Sequence, residues 1–359
     1  MPTSASPTTG VLELSDADRS ACRAIIRAGS KSFYAASLLL PYTIRHAASA
    51  LYAFCRLSDD MVDEGSNRRL ALKELRRRLD LAYAGTPFDH VADRAFAATV
   101  SAYGVPRTVP EALIEGYEWD VDGRTYETID QLVAYSSRVA ATVGVMMTVV
   151  MGRRAPHVLA RAADLGVAMQ LTNIARDVGE DARNGRIYLP LEWMREEGIN
   201  PDAFLANPAF SPALGRVVRR LLKEADLFYH RGATGLAHLP SRARPAICAA
   251  AMIYRDIGRE IKENAYDSVS RRAATSTARK IKLCIAALLR PSMFMICDRR
   301  PPHEETRFLV EATAERADGF SPIFGAIDRR MANLAGLIET IETRDRLTFE
   351  SRRKQNSQA

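Results

Sequence analysis

Residues 165–190, LGVAMQLTNIARDVGEDARNGRIYLP, constrain the fold more than any other stretch of the chain. Gln170, Asn173, Asp177 and Asp181 fall at steps of three, four and four, so on an α-helix they form one slanting polar stripe. The positions around them (Leu165, Val167, Ala168, Met169, Leu171, Ile174, Ala175, Val178) are apolar nearly all round, as in a buried helix. A lone carboxylate out of water costs more than folding can offset, so the stripe must face a filled polar cavity. A divalent cation is the natural filling.

A second stretch, LYAFCRLSDDMVDE, repeats the pattern. Tyr52, Arg56, Asp59 and Asp63 share one face, while Leu51, Ala53, Phe54, Leu57, Met61 and Val62 occupy the others. Asp60 lies about 100° round the helix from Asp59 and is less firmly part of that face. Either motif alone is common on solvated helices. Two copies on apolar helices, each with Arg within a turn, favour two stripes that face one another and share metal. Hard oxygen donors, without His or Cys, suit magnesium, with manganese as a substitute, bridging carboxylates to a phosphate-bearing substrate.

The rest of the chain reads as helix after helix. Ser15 with Asp18 resembles a capping pair opening a helix toward Gly29, and Ser30–Phe33 reads as a polar junction. Pro41 starts the helix with the first acidic stripe. Further helices are expected over 111–121, 129–152, 213–231 and 243–265, with a looped interval marked by Gly185, Pro190, Gly198 and Pro201. No alternating β-type runs bounded by hairpin signals occur. The expected architecture is all-α, a single helical domain with its cavity among the central helices. Residues 1–14 read as a disordered lead, 15–297 as the catalytic domain, 298–345 as a helical extension with a helix over 323–343, and 346–359 as a disordered tail.

Composition narrows the functional classes. The 359 residues carry a net charge of +7, which suits an anionic ligand or membrane surface, but no aromatic-plus-basic module points to nucleic acid. Five cysteines, Cys22, Cys55, Cys248, Cys284 and Cys297, lack metal spacing and read as reduced thiols of a cytoplasmic protein. MPTSASPTTG has neither the basic nor the apolar region of a secretory signal. The apolar run 139–152 is shorter than the about 20 residues of a membrane span and reads as a core helix, so membrane contact is expected to be peripheral.

SKSFY at 30–34, YAFCRLSDDMVD at 52–63, YSSRVAATVGVMM at 135–147 and QLTNIARDVGEDARNGRIYLP at 170–190 resemble the squalene and phytoene synthases, head-to-head prenyl diphosphate synthases, and within them the bacterial phytoene synthases. The resemblance runs from about residue 15 to 295 and implies the helical isoprenoid-synthase bundle. It implies that Asp59, Asp63, Asn173, Asp177 and Asp181 hold the metal. Arg56, Arg176, Arg186 and Arg271 would contact diphosphate oxygens, with Ser30, Lys31, Ser32 and Phe33 covering the same groups and Gln170 beside them. Tyr52, Tyr135, Tyr188 and Tyr254 would surround the reacting carbons, where an aromatic face stabilises a cation without trapping it. Met146 and Met147 read as packing residues, although their position after Gly144 suits a prenyl-chain wall.

The implied reaction joins two geranylgeranyl diphosphates through prephytoene diphosphate to phytoene, without NADPH, and the implied partners are these substrates, a membrane surface and downstream carotenoid enzymes. The same chemistry on C15 substrates is the alternative. A non-catalytic scaffold is disfavoured by the intact stripes, and a head-to-tail elongase by the second motif. Two positions depart from the family pattern: Gly29, where many relatives have His, and Ala141, where glycine is common.

Overall fold

The structure is a computed structural model and describes residues 14–64, 67–289 and 298–314, which fall within one compact unit. The described residues are helical throughout, without a strand. In chain order the helices are α1 (Asp16–Gly29), α2 (Lys31–Ser37), α3 (Tyr42–Glu64), α4 (Arg68–Tyr83), α5 (Val91–Tyr103), α6 (Thr108–Val121), α7 (Ile129–Ser136), α8 (Thr142–Val150) and α9 (Pro156–Arg183). There follow α10 (Leu191–Glu196), α11 (Pro201–Ala206), α12 (Pro212–Thr234), α13 (Arg244–Glu263), α14 (Thr277–Leu289) and α15 (Arg307–Ala314).

Local chemistry sets many of these boundaries. The Ser15 hydroxyl accepts from the Asp18 amide and starts α1. Ser30 closes α1 with its own N–H and caps α2 through its hydroxyl, so the expected polar junction is a helix boundary followed at once by a helix. Short helices α10 and α11 fill the interval expected to be looped. Helix α14 has no counterpart in the sequence reading, and the expected helix over 323–343 lies outside the described residues.

The acidic helix α9 is the central element. Helix α12 lies along it, with α8 and α13 on its other sides. Between α7 and α8 a π turn, Ser137–Ala141, keeps one continuous helix from Ile129 to Val150. That helix is long and apolar enough to cross a membrane by composition, yet most of it is buried against the rest of the fold. Its contact with α9 is main chain on main chain. A Cβ on Gly144 would stand 2.6 Å from the Ala162 carbonyl oxygen, and one on Gly166 would stand 2.6 Å from Ala141 Cα. Ala141, where a glycine was the familiar residue, is therefore accommodated by a glycine on the opposite helix.

Residues 298–314 pack on the same core. The fully buried Arg161 donates to the carbonyls of Asp298 at 2.9 Å and Pro301 at 3.4 Å, and its charge is met by Asp164 at 2.8 Å. Arg231 also reaches Asp164 and the Pro301 carbonyl. A buried guanidinium needs such partners.

Candidate active site

Helices α3 and α9 bring their stripes together at one end of a cavity. Arg186, just past α9, donates to Asp63 of α3 at 2.9 Å and so ties the two motifs. Asp59 is pushed up to about 6, chiefly by burial and then by the neighbouring Asp63. Burial, followed by Asp177 and Glu180, pushes Asp181 up to about 7. Burial also pushes Asp177 up, but the guanidiniums of Arg176 and Arg272 outweigh it and hold this carboxyl below its usual range. Arg176 Nε lies 2.8 Å and Arg272 Nε 2.7 Å from Asp177 Oδ1. Arg56 bridges Asp59 at 3.5 Å and Asp60 at 2.5 Å, which turns Asp60 away as a further free donor.

The cluster contains one acid that sequence reasoning missed. Asp120, on α6, accepts hydrogen bonds from Tyr135 and Tyr188, both at 2.8 Å. Burial raises it, and its charge acts on Asp59 and Asp181. The signal was available: Leu113, Gly116, Tyr117 and Asp120 share one face of α6, so an acid again stands on an apolar helix face.

These donors fit a divalent cation in kind and in charge. They are hard oxygens, and Asn173 Oδ1 is buried without a hydrogen-bond partner. Two of the acids are raised by burial first and then by the charge of neighbouring carboxylates. Among the described residues no three His, Cys, Asp or Glu side chains close around one point. Asp63 and Asp177 are engaged by arginines instead, so closing the set on a cation means exchanging those guanidiniums for the ion.

Next to the acids stands an aromatic and basic rim. Phe33 of α2 packs on Tyr254, ring centroids 5.0 Å apart, and meets Tyr52 edge-on at 6.2 Å. Ser30 shares a hydrogen bond with Tyr254, whose hydroxyl burial pushes up to about 12. Lys31 and Ser32 open α2 at this rim, and Lys31 lies close enough to Lys280 of α14 to help burial lower that ammonium. Lys280 is a second residue missed from sequence. At Gly29, a Cβ would stand 2.4 Å from the Tyr52 hydroxyl, so Tyr52 fills the space that a larger residue would claim.

The structure divides the four tyrosines. Tyr52 and Tyr254 line the cavity, whereas Tyr135 and Tyr188 stack on one another beside Tyr126 and hold Asp120. Of the two adjacent arginines, Arg271 points its guanidinium to Asn264 at 3.5 Å, while Arg272 reaches Asp177 and Glu180.

From the rim a cavity of about 300 Å³ runs between α8 and α9, walled also by α2, α3 and α13. Gln170 and Asn173 stand at its polar end. Met147 lines it while Met146 is buried in the core. The glycine contacts pair residue 141 with 166 and 144 with 162, so α8 and α9 run antiparallel and Thr148 faces Val158 at the far end. From Asn173 to Val158 the helical rise amounts to about 22 Å. Apart from Ser37, Thr148 and the neutralised Arg161, the side chains beyond the polar end are apolar.

This geometry has known counterparts. The profile of the squalene/phytoene synthase family matches residues 26–280. The chain is 49% identical over 311 residues to a phytoene synthase of Rhodobacter capsulatus, covering 84% of this chain and 92% of that one. It is 38% identical to a 15-cis-phytoene synthase of Pantoea ananas, over 72% of this chain and 87% of the relative. Among solved structures, a dehydrosqualene synthase in complex with ligand superposes with a TM-score of 0.70 at 31% identity, over 76% of this chain and 96% of that one. A squalene synthase from Alicyclobacillus acidocaldarius superposes at 0.64 with 26% identity, over 70% and 95% of the two chains.

Proposed function

The chain belongs to the squalene/phytoene synthase family, and we propose that it joins two geranylgeranyl diphosphates head to head to give phytoene, the entry step of carotenoid synthesis. The observation that carries the C20 reading is the length of the tunnel. Four isoprene units, extended, span about 20 Å on standard carbon–carbon bond lengths, which matches the about 22 Å between Asn173 and Val158. The identity to curated phytoene synthases supports the same choice.

Loss of diphosphate from one substrate leaves an allylic cation, which the alkene of the second captures. Proton loss closes the cyclopropane of prephytoene diphosphate. Its diphosphate then leaves, the ring rearranges, and a second proton loss gives phytoene. Two diphosphates and two protons are released, and no reductant enters the balance. Asp59, Asp63, Asn173, Asp177 and Asp181 are the residues to hold magnesium, or manganese in its place. When bound, the ion supplies Lewis-acid stabilisation of the departing diphosphate.

The chain's own groups do the rest. Arg56, Arg176, Arg186 and Arg272, with Lys31 and Lys280, offer charge-assisted hydrogen bonds to diphosphate oxygens. Tyr52, Phe33 and Tyr254 present aromatic faces at the mouth of the tunnel. The apolar wall excludes water that would quench the cations to alcohols. Asp120 fixes the hydroxyls of Tyr135 and Tyr188 beside the acids.

Residues 15–297 serve in this reading as the catalytic domain, with residues 298–314 bracing α9 from outside. The protein works in the cytoplasm at the surface of a membrane, where its amphiphilic substrates and hydrocarbon product partition. The free Cys22, Cys55, Cys248 and Cys284 agree with a reducing compartment.

The deciding experiment supplies magnesium and labelled geranylgeranyl or farnesyl diphosphate to purified protein without NADPH, and identifies the hydrocarbons formed. A C40 triene-centred product from the C20 substrate is expected. A C30 product from the C15 substrate alone would refute the C20 assignment.

A further inference from the structure

The outer side of α14 carries an apolar stripe that none of the described residues covers. Ile281, Ile285, Leu288 and Leu289 share one side of the helix and are 56%, 50%, 50% and 75% exposed, while Leu283 and Ala287 pack inward. Soluble surfaces rarely gather large aliphatic side chains in this way without a partner. Helix α14 lies on α13 and α2, whose residues Ala250, Ile247, Ala36 and Ser37 wall the tunnel. Helix α2 ends beside two more exposed apolar side chains, Leu38 and Tyr42.

Charge narrows the choice of occupant. Neither residues 31–42 nor residues 277–289 contain an acid, and together they carry Lys31, Arg279, Lys280 and Lys282. Arg279 is neutralised by Asp256, and Lys31 and Lys280 meet at the diphosphate rim, which leaves the exposed Lys282 beside the stripe. A second copy docked across a twofold axis would set this lysine and its stripe against themselves with no acid on either segment to meet the charge. An acidic lipid surface instead meets aliphatic side chains with its acyl region and lysines with its headgroups.

We propose that α14 seats the protein on an anionic lipid surface, with the neighbouring tunnel wall turned toward the bilayer. The benefit assigned to this placement rests on the proposed reaction, because prenyl diphosphates and a C40 hydrocarbon reside in lipid. The docking itself rests only on the surface of α14.

The test is co-sedimentation of the full chain with phosphatidylcholine vesicles, with and without about one third phosphatidylglycerol. The wild-type protein is expected to bind the acidic vesicles, and less well as salt is raised. The double variant Ile285→Glu, Leu289→Glu should bind them about tenfold more weakly or worse. Lys282→Glu should weaken binding severalfold on acidic vesicles, a readout that does not depend on altering the apolar stripe. Leu227→Glu, at an exposed leucine on α12, should bind as wild type.

Equal binding by wild type and the double variant would overturn the proposal, as would no binding by wild type. A wild-type dimer that the double variant abolishes, with vesicle binding unchanged, would assign the face to a second copy and overturn it too. Hydrocarbon synthesis from detergent-dispersed substrate, measured in parallel, separates the two readings. A variant that synthesises product but leaves the vesicles supports docking, and selective loss of vesicle binding without product from any protein supports docking while refuting the reaction.

Discussion

Asp181→Asn should stabilise the metal-free protein while abolishing catalysis. The displacement of Asp181 from 3.8 to about 7 is worth about 4 kcal/mol at 1.36 kcal/mol per pKa step. Partial solvent access and relaxation reduce the expected gain to about 2–4 kcal/mol. The sign follows from proton counting. Between 3.8 and about 7 the folded state keeps the proton that the unfolded chain has lost, so stability falls as pH rises through that window. The full penalty is present above the folded value and absent below 3.8. Asn keeps the shape without the charge, so its advantage is greatest at about pH 8 and vanishes near pH 4. Thermal unfolding in EDTA should show a midpoint about 3–6 °C above wild type at the higher pH. Adding magnesium with inorganic diphosphate should raise the wild-type midpoint more than that of the variant. An equal or lower midpoint for Asp181→Asn at the higher pH, or a difference independent of pH, would refute the reasoning.

Thr148→Phe plugs the far end of the tunnel opposite Val158. Turnover of the C20 substrate should fall at least about tenfold while C15 use persists, as product analysis with each substrate would show. Asp120→Asn keeps the shape but turns one of the two oxygens that accept from Tyr135 and Tyr188 into a donor and removes one charge from the cluster; steady-state kinetics should show kcat/KM lower by about ten- to a hundredfold. Arg272→Met should raise KM for the diphosphate substrate, whereas Arg271→Met should stay within about twofold of wild type. Equal losses in the two arginine variants would contradict the division between Asp177 and Asn264.

The two acidic stripes were legible because each interrupts an otherwise apolar helix, and burial is what makes a charge informative. Asp120 also stands on an apolar face, but other acids on the same helix mask it. Glu118 and Asp122 flank it in sequence, so it reads as one more surface acid until α6 is seen against Tyr135 and Tyr188. Neighbouring arginines pose a similar problem. Arg271 and Arg272 have the same chemistry, and only the path of the chain after α13 decides which of them turns toward Asp177. The π turn at Ser137–Ala141 leaves no trace in a run of small and apolar residues. Helix α14 is read from three dimensions because its period is legible only once its inward face, Leu283 and Ala287, has something to pack on.

The glycine contacts between α8 and α9 fix the gauge of the tunnel independently of its depth. Where main chain rests on main chain, at Gly144 and Gly166, no lining side chain acts as a spacer. Enlarging or trimming Thr148, Met147 or Val158 can therefore change how long a hydrocarbon is admitted while the two rails keep their separation. Product length can diverge in such a lineage one residue at a time, without renegotiating the acidic chemistry at the other end.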